Sequence, residues 1–128
     1  MRLWTLATFA LLVSFRIGAA DDQPTPIGPA EAAKKINEEV TVRMDVKSAN
    51  LRESVCFLNS EEDFKDVKNF TVFIDKDTLA KFKEAKIDDP AAHFKGKTIE
   101  VKGKVTLYRE RPEIKLSGPD SIKVVEKK

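Results

Sequence analysis

From Val40 onward, apolar and polar residues take turns: Val40, Val42, Met44 and Val46 are separated by Thr41, Arg43 and Asp45. A period of two predicts a strand with one face buried. "KSANLRES" then reads as a polar turn, and "VCFLN" as a second strand that is apolar on both faces at its centre. "SEEDFKDVK" is an acidic loop before "NFTVFID", a third strand with Phe70, Val72 and Ile74 on one face and Phe73 on the other. Here the period changes. Asp77 suits an N-cap, and Leu79, Phe82 and Ala85 follow at a spacing of three, which predicts a helix. "IDDPAAHFKGK" adds a short helical turn capped by Asp89, with Pro90 at its first position and Gly96 ending it. The longest strand follows, with Ile99, Val101, Gly103, Val105 and Leu107 on one face. "PEIKL" is a fifth strand opened by Pro112, a position a strand tolerates. "SGPD" interrupts it, and "SIKVV" resumes extended structure.

The first 39 residues follow other rules. Arg2, the 13-residue apolar run Leu3 to Phe15, and the small residues Gly18-Ala19-Ala20 have the layout of a secretory signal peptide over residues 1–20. The run falls short of the roughly 20 apolar residues a spanning helix needs, so no stable membrane insertion is expected once the signal is removed. Residues 21–29, "DDQPTPIGP", read as a flexible leader, because three prolines and a glycine leave no apolar period. Pro29 can open a short amphipathic helix in "PAEAAKKINEE", with Ala32 or Ala33, Ile36 and Val40 on one side as a brace for the sheet. Residues 30–128 are then one domain, and the expected address is secreted or periplasmic.

Charge and cysteine content narrow the function classes. Arg2 and Arg16 leave with the signal, so 23 basic side chains become 21, equal to the 21 acidic ones. A whole-molecule pull toward nucleic acid or anionic membrane is therefore absent. The distribution is uneven, however. Residues 53–94 hold 6 basic and 10 acidic side chains, and residues 95–128 hold 10 basic and 5 acidic, so the last hairpin lies in a mildly basic region. A single cysteine, Cys56, leaves burial in "VCFL" or pairing with another chain as its two options.

Five strands with a helix between the third and fourth is the arrangement of the OB-fold, a Greek-key barrel. The expected class is all-β with short helices, and Gly103 marks a bend or a close approach inside that barrel. The residues Gly96-Lys97, Ile99, Val101, Gly103, Val105 and Tyr108, then Pro112 and Ile114, resemble the last hairpin of bacterial OB-fold modules. Phe57-Leu58-Asn59 and Asn69-Phe70-Thr71-Val72 are similar to the second and third strands of the same modules. The resemblance covers about residues 38 to 126, and it departs at the hairpin tip, where Glu110 stands in place of the usual glycine. It implies nucleic-acid binding for many members, while some exported modules bind something else.

Enzyme chemistry finds little support in the residues. His93 is the only histidine, Asp75-Lys76-Asp77 lacks the glycine and terminal glutamate of a calcium loop, and no glycine-rich phosphate loop is present. The reading is a binding protein rather than an enzyme, with no cofactor. OB-folds take ligands across strands two and three, beside the loops after strands one and four. Those loops supply Lys47, Arg52, Arg109 and Arg111, with Tyr108 adjacent, and Phe57 and Phe73 either add to the platform or belong to the core. Cations beside aromatics suit single strands, whose bases stack and whose phosphates pair. The competing reading has Tyr108 packed on the rim and the arginines paired with Glu110 and Glu113. The expected partner is thus a protein, glycan or small ligand, with single-stranded nucleic acid as the alternative.

Overall fold

The computed structural model describes residues 25–126. The expected signal peptide, residues 1–20, lies outside them. The chain is mostly β with a few short helices. In order, these are α1 (Pro29–Ala32), β1 (Glu39–Asp45), β2 (Ser48–Arg52), β3 (Val55–Asn59), β4 (Thr71–Ile74), α2 (Lys76–Glu84), α3 (Pro90–Phe94), β5 (Thr98–Tyr108), β6 (Arg111–Lys115), a 3-10 turn (Pro119–Ser121) and β7 (Ile122–Val125). Neighbouring strands run β1-β5-β6-β4-β3-β2, with β7 also on β5. Strand β6 is antiparallel to β5 and parallel to β4, so the chain crosses over through α2 and α3 before the last hairpin.

Among the described residues seven strands form, where the sequence predicts five. "SANLR" is not a turn but β2, antiparallel to β3 from Ser48↔Asn59 to Arg52↔Val55. Its residues are half-buried or exposed, so pairing with β3 rather than burial holds it straight. "SIKVV" does not continue the fifth strand along β4. Pro119 and the 3-10 turn redirect it, and β7 pairs with β5 from Val101↔Ile122 to Thr98↔Val125. The strands β1 and β2 stand at the two ends of the sheet and do not pair with each other.

One core collects the inward residues of both halves, including Val42, Leu58, Phe70, Val72, Ile74, Ile99, Val101, Val105 and Ile114. The alternation in β4 appears as expected, with Phe70, Val72 and Ile74 buried and Phe73 half-buried. Leu107 breaks the expected inward row and is 55% exposed. Strand β5 outruns β1 after Lys104 and, among the described strands, keeps only β6 as a neighbour there, which leaves Leu107 at the open end of the hairpin. A Cβ on Gly103 would stand 2.5 Å from the Cγ2 of buried Ile114, so glycine lets β5 and β6 pack closely. On the opposite face of β5, the buried carboxylate of Glu100 is held across the sheet by Arg43 of β1 and by Lys123 of β7 at 3.7 Å.

One local signal at the helices needs correction. The N-cap of α2 is Asp75, not Asp77: its carboxylate accepts the Thr78 amide at 2.9 Å, and that bond holds its pKa below the usual range. Asp77 sits within the first turn. Upstream of α1, Ile27 pairs with β1. The Ile27 amide donates to the Thr41 carbonyl at 2.9 Å, and Ile27 accepts from the Arg43 amide at 2.8 Å.

Cys56 is fully buried, and burial together with the nearby Asp89 carboxylate pushes its thiol up to about 12. A thiolate is the reactive form, so the native protein should resist thiol reagents at neutral pH and label fully in denaturant. Rapid labelling of the native protein would contradict this burial.

Candidate functional site

The β5–β6 hairpin stands beside the outer face of β3 and β4. Strand pairing places side chains that alternate with the core on this face: Asn50 and Arg52 of β2, Phe57 and Asn59 of β3, Thr71 and Phe73 of β4, Arg111 and Glu113 of β6. They border a groove of about 500 Å³, within the range of small-ligand sites. Its walls include Arg52, Phe57, Asn59, Phe64, Tyr108, Arg109, Arg111 and Glu113.

Two cross-strand rows of side chains lie on this face. In the first, Asn59 is opposite Thr71, and Thr71 is opposite Glu113. In the second, Phe57 is opposite Phe73, with ring centroids 5.4 Å apart. Phe73 does not border the groove itself but backs Phe57. Asn69 fixes the polar row. Its Nδ2 donates to Asn59 Oδ1 at 3.2 Å, to Thr71 Oγ1 at 3.1 Å and to the Phe64 carbonyl at 3.3 Å. The Thr71 hydroxyl in turn donates to Asn59 Oδ1 at 2.9 Å.

The arginines act differently from one another. Arg111 donates to the carbonyls of Phe64 at 3.1 Å and Lys65 at 3.2 Å, so it clamps the β3–β4 loop instead of standing open. That loop holds Phe64 60% exposed at the groove's edge. The guanidinium of Arg109 lies 5.3 Å from the centroid of exposed Tyr108, a cation–π contact. Among the described residues, neither arginine forms an ion pair with Glu110 or Glu113. Burial pushes the Glu113 carboxyl above its ordinary pKa, and Lys115 offsets part of that rise.

Four of the six residues expected from the sequence therefore meet at one groove: Arg52, Tyr108, Arg109 and Arg111. Phe73 supports from behind, and Lys47 is elsewhere. Its ammonium lies 3.7 Å from Glu61 and borders a separate cavity with Arg43 and Thr98. The sequence reading passed over Asn59, Phe64, Thr71 and Glu113. Period-two counting outward from Cys56 and Leu58, the buried residues of β3, would have placed Asn59 beside Phe57.

Neither a family model nor a curated protein sequence matches the chain. Solved structures do. The aspartyl tRNA synthetase of Entamoeba histolytica is similar at a TM-score of 0.56 and 16% identity, over 98% of this chain and 28% of that one. The asparaginyl-tRNA synthetase of Pyrococcus horikoshii gives 0.52 and 14%, over 78% and 23%. The OBody AM1L10, solved bound to hen egg-white lysozyme, gives 0.51 and 18%, over 74% and 86%. The chain spans about a quarter of the length of these synthetases. The neighbours are OB-fold domains, and at such identity the likeness establishes the fold alone.

Proposed function

We propose that this chain is a non-catalytic OB-fold protein that binds a single-stranded nucleic acid in the groove beside the β5–β6 hairpin. One observation carries the reading: Phe57, Phe64 and Tyr108 share that groove with Arg52 and Arg109. Aromatic faces take stacked bases, and the guanidinium groups take phosphates. The likeness to tRNA synthetases supports it, since those enzymes handle RNA by name. The fold reading sharpens in the same way. Only Val46 and Lys47 separate β1 from β2, and their amides donate in opposite directions, to Lys97 and to Asn59. We read β1 and β2 as one bent strand, β3, β4, β5 and β6 as the other four of a five-stranded Greek-key barrel, and β7 as an addition to β5.

A second reading, an exported module for a protein, glycan or small ligand, is favoured by Leu3 to Phe15 with Gly18-Ala19-Ala20 and by the charge balance after them. A titration of a labelled thymidine oligomer by fluorescence anisotropy at several salt concentrations separates the two. Binding that weakens steeply with salt is expected, and Arg109→Ala should reduce the log–log slope by about 0.7, one phosphate contact. Tyr108→Ala should cost about 1–3 kcal/mol, one stacked base. Absence of binding at low salt would remove the nucleic-acid reading and leave the second.

A further inference from the structure

We propose that Glu113 and Asn59 make the groove selective for guanine, Glu113 accepting from its N1–H and N2–H and Asn59 donating to its O6. This rests on the groove being a nucleic-acid site, and it adds which base that site reads.

Glu113 is the anomaly in an otherwise cationic and aromatic groove. It is half-buried, and its carboxylate makes no hydrogen bond or ion pair among the described residues. Among the described residues no cation forms an ion pair with it. Lys115 reaches Asp75 at 3.3 Å, Arg111 holds the loop carbonyls, and Arg109 lies over Tyr108. A partly desolvated carboxylate without donors is costly, and buried polar groups normally find partners. A site that only followed phosphates would gain nothing from a negative charge on its floor.

Asn59 is the complementary group. Its Oδ1 already accepts from Asn69 and Thr71, which fixes the carboxamide. Its Nδ2 has no hydrogen-bond partner among the described residues, although the residue is only 6% exposed and borders the groove. Across β4, the two side chains share one cross-strand row. Neighbouring strands are about 4.8 Å apart, so their backbones are separated by roughly two such spacings, a gap that a base edge with a hydrogen bond at each end can bridge.

Base chemistry selects among the candidates, because unstacked bases are read on their Watson–Crick edges. Guanine alone of the standard bases presents two adjacent donors, which a carboxylate accepts bidentately. It also places an acceptor at the other end of the same edge, toward Asn59. Adenine and cytosine offer one amino group next to an acceptor nitrogen that would face the carboxylate. Thymine and uracil offer one N–H between two carbonyls. Phe57 supplies an adjacent ring for the base to stack on.

The test uses thymidine decamers carrying one central guanine, hypoxanthine, adenine or cytosine, titrated against the full chain by anisotropy. The guanine oligomer should bind on the order of tenfold tighter than the others, the size of one good bidentate contact. Hypoxanthine keeps N1–H and O6 but lacks the 2-amino group, so it should lose most of that gain. Glu113→Gln should bring the ratio of guanine-oligomer to plain-thymidine affinity to about one, and a melting curve checks that the variant is folded. Equal affinity for all central bases would overturn guanine selection but leave the nucleic-acid reading standing. A preference unchanged in Glu113→Gln would overturn the role of Glu113. No binding to any oligomer would overturn both readings together.

Discussion

Val101→Asp should leave most of the protein unfolded, while Lys102→Asp should melt close to the parent. Val101 lies on β5 between Val42 of β1 and Ile122 of β7, and all three are buried. A carboxylate there would meet an apolar core with no donor in its row. The cost of an unpaired buried charge is several kcal/mol, comparable to the whole stability of a small domain, about 5–15 kcal/mol. Protonation would lessen that cost without removing it. Lys102 is exposed on the opposite face of the same strand, where substitutions usually stay within about 0.5 kcal/mol. Thermal melts followed by circular dichroism make the comparison. Equal midpoints would mean that β5 does not present Val101 to the core.

The alternation that makes this contrast also shows what the sequence could reveal. Strands β1, β4 and β5 were legible because burial selects every second residue, and a slip by one would turn each apolar side chain to solvent, while β3 stood out as a short apolar run between polar stretches. Strand β2 was not legible, since "SANLR" buries little and gains its shape from β3, a partner the local sequence does not name. The partner of β7 was not legible for a related reason. "SIKVV" is plainly extended, but its alignment with β5 depends on the direction the chain takes after Pro119. Asp75 and Asp77 are both sound capping residues by type, and only the extended backbone at Asp75 decides between them. At the groove, the hairpin residues were visible from their loop position. Asn59 and Glu113 were not, because "VCFLN" is apolar on both faces and Glu113 gains meaning only opposite Thr71.

Replacing Arg109-Glu110 with Asn-Gly should make the protein more stable and its groove weaker. Strand β5 ends at Tyr108 and β6 begins at Arg111, so two residues form the whole turn. Both have left-handed backbone, φ 52° at Arg109 and φ 68° at Glu110. Two-residue hairpins with positive φ at both positions favour Asn-Gly, because a β-carbon in that region costs roughly 1–2 kcal/mol. Two such residues in succession are a local strain, and strain of this kind is retained where function uses it. In the proposed site the residue that would use it is Arg109, whose guanidinium the turn sets over Tyr108 at the rim of the groove. The double variant should therefore gain about 1–2 kcal/mol from relief of the turn, read as a higher melting midpoint. Its affinity for the thymidine oligomer should fall, with a shallower salt dependence from the lost cation. A midpoint that drops would show that the side chains of the native turn stabilise the hairpin. An unchanged affinity would remove the tip from the binding surface and leave the strain without a function.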